Sequence, residues 1–83
     1  MAYKNDLKWQ KQLDRFSLEE QKVLLALSHG HYYWRTRDRL ATATGLPPSD
    51  LDSVLAKLMD KDIIRPSFSK NRNLIYGLKE RVG

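Results

Sequence analysis

Apolar residues recur at three- and four-residue intervals between residues 18 and 60, and from residue 64 onward they alternate with polar ones. A period near 3.6 predicts helices and a period of 2 predicts strands, so the chain divides into a helical part followed by a hairpin. Ser17-Leu18-Glu19-Glu20 has the form of a capping box, in which hydroxyl and carboxylate each accept from the other residue's backbone N–H. The helix it opens carries Val23, Leu24 and Leu27 on one face. It ends near Ser28-His29-Gly30, where glycine suits a left-handed terminus. His31 to Arg35 is aromatic and extended in character, which fits a short strand.

Thr36 is placed to cap a second helix, with Asp38 in its first turn, Leu40, Ala41 and Thr44 on the inner side and Gly45 as the stop. Pro47-Pro48 reopens the chain as a helix, because proline is well tolerated in the first turn. Leu51, Val54, Leu55, Leu58 and Met59 then fall at i, i+3, i+4, i+7 and i+8, the cleanest stripe in the chain. Two helices joined by a few residues around a glycine make residues 36–64 a helix-turn-helix pattern. Residues 63–79 read as a β-hairpin: Ile64, Pro66 and Phe68 alternate with Arg65, Ser67 and Ser69. Leu74, Tyr76 and Leu78 alternate with Ile75, Gly77 and Lys79, and Lys70-Asn71-Arg72-Asn73 forms the turn. Pro66 lacks a donor, which predicts an edge position for its strand and a central one for Leu74–Leu78. Residues 1–16 predict an amphipathic lead-in helix through Trp9, Leu13 and Phe16, and residues 80–83 a tail. The lead-in helix either packs on the core or pairs with its copy in a homodimer through residues 3–16.

The 83 residues leave room for one domain, read as spanning 17–79. No apolar run approaches the roughly 20 residues of a membrane span. The N-terminal residues lack the apolar core of a signal peptide, so the expectation is a cytoplasmic protein. With 15 Lys and Arg against 10 Asp and Glu the net charge is +5, which favours an anionic partner, although many small basic proteins bind no polyanion.

Leu40-Ala41, Thr44-Gly45-Leu46, then Leu51, Val54, Leu55, Leu58 and Ile63-Ile64 resemble the corresponding run of bacterial and phage winged-helix regulators. The resemblance covers residues 17–79. It implies an α+β, mainly α fold, a winged helix-turn-helix with a three-helix core, a β-hairpin wing and an extra N-terminal helix. It also implies double-stranded DNA as partner, with the second helix of the pair in the major groove and the wing on the backbone. The same fold serves pure protein docking, so a protein-protein interaction module is the alternative.

Carried onto this chain, the outward positions of the reading helix are Ser49, Asp50, Asp52, Ser53, Ala56 and Lys57. Two aspartates there suit the helix dipole and repel phosphate. Residues 47–62 hold two Lys against four Asp, a net of −2. Residues 63–83 hold five Lys and Arg against Glu80, a net of +4, and residues 35–46 hold three Arg against Asp38, a net of +2. Contacts with DNA are therefore expected chiefly from Arg37, Arg39, Arg65, Lys70, Asn71 and Arg72, with limited base readout by Ser49, Ser53 and Lys57.

His29 and His31 have no carboxylate or thiol partner in a metal-ligand spacing, and no cysteine is present. No metal, cofactor or catalytic residue is expected. Tyr32-Tyr33-Trp34 beside Arg35 has the composition of a base-stacking platform, and equally that of a core strand. As a strand, alternation turns Tyr33 inward and leaves Tyr32 or Trp34 partly exposed, where an aromatic could also dock a protein.

Overall fold

The computed structural model describes residues 14–29 and 32–82. Helix α1 spans Leu18–Ser28 and is followed by strand β1 (Trp34–Thr36), helices α2 (Arg37–Thr44) and α3 (Pro48–Asp60), strands β2 (Ile64–Phe68) and β3 (Leu74–Leu78), and a last helical turn, α4 (Lys79–Val82). The result is an α+β fold, mainly helical, with a three-stranded antiparallel sheet. This layout is compatible with a winged helix. No described helix is long and apolar enough to cross a membrane.

Each boundary has a local cause. The Glu20 N–H donates to Ser17 Oγ at 3.1 Å and the Ser17 N–H donates back to Glu20 Oε1 at 2.8 Å, completing the capping box. Thr36 Oγ1 accepts from the Arg39 N–H, and Gly45 ends α2 at φ 72°, in the region where glycine alone is unstrained. Pro48 occupies the first turn of α3. That helix closes with Asp62 left-handed at φ 61°, while the N–H groups of Asp62 and Ile63 donate to Met59 O and Leu58 O, the two bonds of a Schellman motif.

Val23, Leu24 and Leu27 of α1, Leu40 of α2, Leu51, Leu55 and Leu58 of α3, and Ile64 and Leu78 of the sheet are essentially removed from solvent. They form one cluster between the helices and the inner end of the sheet. The sheet order is β1-β3-β2, so the proline-bearing strand lies at an edge and Leu74–Leu78 in the middle, as expected.

The outer half of the hairpin lies outside the core: Pro66 and Phe68 are exposed, Phe68 at 70%, as is Leu74 at the outer end of β3. Two expectations need correction. Tyr33 is 50% exposed rather than inward; β1 begins only at Trp34, so the alternation has no strand to act on, and the ring lies 4.1 Å from the Arg81 guanidinium. Residues 80–82, read as a tail, form a helical turn with Lys79, held where Arg81 Nη1 donates to Leu27 O at 2.8 Å. Most of the lead-in segment, including Trp9, Leu13 and the proposed dimer contact at 3–16, lies outside the described residues, as do Gly30 and His31. Phe16, at the end of that segment, is buried.

One ion pair joins the two ends of the helical layer. Glu20 is buried, and besides capping α1 its Oε2 accepts from Lys61 Nζ at 3.1 Å, at the C-terminus of α3; the same ammonium stands 5.2 Å from the Phe16 ring centroid. Burial pushes the Glu20 carboxyl upward, but the Ser17 N–H and Lys61 outweigh it and hold the group below its ordinary value. A carboxylate so held binds fewer protons folded than unfolded. Its contribution is therefore complete above about pH 4.3 and is lost as pH falls through the folded value.

Two stability measurements follow from this packing. Glu20→Gln lowers unfolding free energy at pH 7 by about 1–2 kcal/mol and flattens the fall in stability below about pH 4.3, read by urea unfolding across pH. A Cβ on buried Gly77 would meet the Tyr33 carbonyl oxygen and Val82 Cγ1, each at 2.9 Å. Gly77→Ala therefore costs about 1–3 kcal/mol in the same assay, since the first of these neighbours is backbone.

Candidate nucleic-acid interface

Burial of Leu51, Val54, Leu55 and Leu58 sets the rotation of α3 and leaves Ser49, Asp50, Asp52, Ser53, Ala56 and Lys57 exposed, as the sequence predicts. Ser49, Ser53 and Lys57 follow one another at four-residue spacing and so form one outward stripe. Asp52 lies beside it and has a partner that spacing alone does not reveal. Arg37 Nε donates to Asp52 Oδ1 at 2.6 Å and Arg37 Nη2 to Asp52 Oδ2 at 2.9 Å, a two-pronged pair between the start of α2 and the face of α3. The Arg37 hydrogen bond is the main cause holding the Asp52 carboxyl below the usual carboxylate range. The pair's charges are felt by Tyr76 of β3, whose phenol is pushed up chiefly by burial and further by the Asp52 charge.

This pair changes two expectations at once. Arg37 carries a carboxylate partner while also lining an open groove beside α2, and Asp52 no longer acts as an isolated negative charge on α3. Asp50 remains as the carboxylate in the first turn of that helix.

The other ion pairs consume charge in the same way. Lys79, at the base of the hairpin, pairs with Asp62, and Lys61 pairs with Glu20. Arg81 is directed to Leu27 O and the Tyr33 ring. Of the cations expected at the interface, Arg39, Lys57, Lys70 and Arg72 are exposed and carry no ion pair among the described residues. Arg65 is exposed on β2, where it is the register partner of Gly77, and Asn71 is exposed in the turn.

The wing turn is built around Arg72. Its N–H donates to Ser69 O at 2.9 Å, the Ser69 N–H donates to Asn73 O at 2.9 Å, and Ser69 Oγ accepts from the Asn73 N–H. Arg72 itself sits at φ 63°. Glycine is the usual residue at the left-handed position of such a loop, so an arginine there is strained by about 1 kcal/mol.

Between the start of α2 and the outer end of β3 runs an open groove of about 540 Å³. It is lined by Thr36, Arg37, Asp38, Arg39 and Thr42 on one side and by Asn73 and Leu74 on the other. The positive end of the α2 dipole opens into it, partly offset by Asp38. The groove joins Arg39 to the wing, two parts of the expected site that are remote in sequence. Ser49, Ser53 and Lys57 are not among its lining residues. Asn73 belongs to the polar turn that the sequence singles out; Leu74 is marked by the strand alternation but not as a site residue, and Thr42 carries no signal that could have found it. A second pocket of about 220 Å³ adjoins the groove, sharing Thr36 and Arg39, and is lined also by Tyr32, Trp34, Arg35 and Ile75.

Among the described residues no group of three or more His, Cys, Asp or Glu is placed to hold a metal ion. Comparison with known proteins gives no match, whether to a family model, to a curated protein or to a solved structure.

Proposed function

We propose that the chain is a winged-helix DNA-binding domain of the small-regulator type, which contacts duplex DNA mainly through the hairpin wing and the groove beside α2. The observation that carries this reading is how the ion pairs sort the charge. Arg37, Lys61 and Lys79 are tied to carboxylates, whereas Arg39, Lys70 and Arg72 stand exposed along the groove and wing with no such pair among the described residues. Phosphate contacts position a protein on a duplex, and they call for cations of this kind. Arg65 on the outer strand and Asn71 at the tip extend the same surface. The α3 stripe of Ser49, Ser53 and Lys57 has one charge and two short hydroxyls, which supports a minor part in base readout.

Strain at the wing tip favours the same reading. An arginine stands where glycine would relax the backbone, which supports a binding role for its side chain. The second reading, a protein-docking module that binds no nucleic acid, is favoured by Phe68 and Leu74. These two exposed apolar residues are cross-strand partners on one face of the wing.

Titration of a labelled duplex at several salt concentrations separates the two. Four contacts, from Arg39, Arg65, Lys70 and Arg72, give a log–log slope of affinity against salt of about −3.6. No binding at low salt would overturn the DNA reading in favour of protein docking. Arg72→Gly carries a prediction of opposite signs: stability rises by about 1 kcal/mol in urea unfolding, while duplex affinity falls and the salt slope becomes shallower by about 0.9. Unchanged affinity and slope would remove Arg72 from the interface.

A further inference from the structure

The pocket beside the groove has a composition that phosphate binding leaves unexplained. It is lined by Tyr32, Trp34, Arg35, Thr36, Arg39 and Ile75 and encloses about 220 Å³. Two aromatic side chains and an isoleucine give it flat apolar walls, and Tyr32 is 70% exposed at its mouth. The Arg35 Nε is buried with no hydrogen-bond partner among the described residues, an arrangement that costs free energy until an acceptor arrives. The pocket also lies at an open edge of the sheet, since β1 pairs with β3 on one side only.

We propose that this pocket takes an unpaired nucleobase, presented by a single-stranded overhang where it leaves a duplex lying in the adjoining groove. The proposal rests on the DNA-binding reading above and names a preference within it. A base supplies a π-face to stack on Tyr32 or Trp34 and ring or carbonyl acceptors for the guanidinium of Arg35, which also lines the pocket. Arg39 lines both cavities, so a phosphate there and a base beyond it would belong to one continuous strand. A carboxylate from an acidic peptide would satisfy Arg35 but leave the two rings and Ile75 without a partner. A paired base offers no exposed face for stacking, hence the restriction to unpaired ones.

The test uses the full chain with Trp9→Phe, which leaves Trp34 as the remaining tryptophan of the two. Its emission is followed while a blunt duplex, the same duplex with a short overhang, a single-stranded oligonucleotide and an acidic peptide are titrated in turn. The overhang duplex is expected to bind about tenfold more tightly than the blunt one and to quench Trp34. Tyr32→Ala and Arg35→Lys each abolish that preference without changing blunt-duplex affinity. Arg35→Lys also leaves the salt slope unchanged, because it keeps the charge and removes the Nε donor; a slope that flattened would assign Arg35 to phosphate and overturn the proposal. Equal affinity for blunt and overhang duplexes without quenching overturns it while the duplex reading stands. Quenching by the single strand with no blunt-duplex binding supports the pocket and overturns the duplex reading. Quenching by the peptide alone overturns both, as does the absence of any binding.

Discussion

The buried stripe of α3 is the constraint from which the rest of the surface follows. Leu51, Leu55 and Leu58 are the part of that helix most completely withdrawn from water, and they meet α1, α2 and the base of the sheet in one cluster. Each such side chain contributes about 1.5–3 kcal/mol by burial, more than any exposed polar contact nearby can offset. The helix therefore cannot rotate to show a different face. Its outward residues are what remains after the core is satisfied, and they include two aspartates. The electrostatic character of the domain is largely a response to that result.

The response is local. Arg37 begins α2 within reach of Asp52, and the forked pair both neutralises the acid and ties the two helices together. Lys61 and Lys79 do similar work at the far end of α3 and at the base of the wing. Arg39 beside the groove and Lys70 and Arg72 on the wing are left outward without an ion pair among the described residues, as are Lys57 on α3, Lys22 on α1 and Arg15 just before it.

Much of this architecture was legible in the residues. The capping box at Ser17, the Thr36 and Gly45 boundaries of α2, Pro48 at the start of α3 and the edge position of the Pro66 strand each rest on chemistry within a few residues. What could not be read depends on separation along the chain. Nothing in sequence joins Arg37 to Asp52 or Glu20 to Lys61, so the regional charge sums counted as available several cations that the fold uses internally. Alternation correctly predicted two strands but does not say where the core ends: Ile64 and Leu78 are buried, whereas Pro66, Phe68 and Leu74, at equivalent alternating positions, are exposed. The α4 turn was missed because four residues carry no period; its anchor is Arg81 reaching Leu27. Of the candidate site residues, Arg39, Lys70, Asn71 and Arg72 are exposed, and Arg37 lines the groove beside Arg39 while paired with Asp52.

Amide chemical-shift mapping of the labelled chain with a generic duplex at low salt addresses the central claim most directly. The account predicts that the largest perturbations fall on Arg39, Thr42, Lys70, Arg72 and Asn73, with smaller ones at Ser49, Ser53 and Lys57. Perturbations concentrated on the α3 face, or a spectrum that the duplex leaves unchanged, would contradict it.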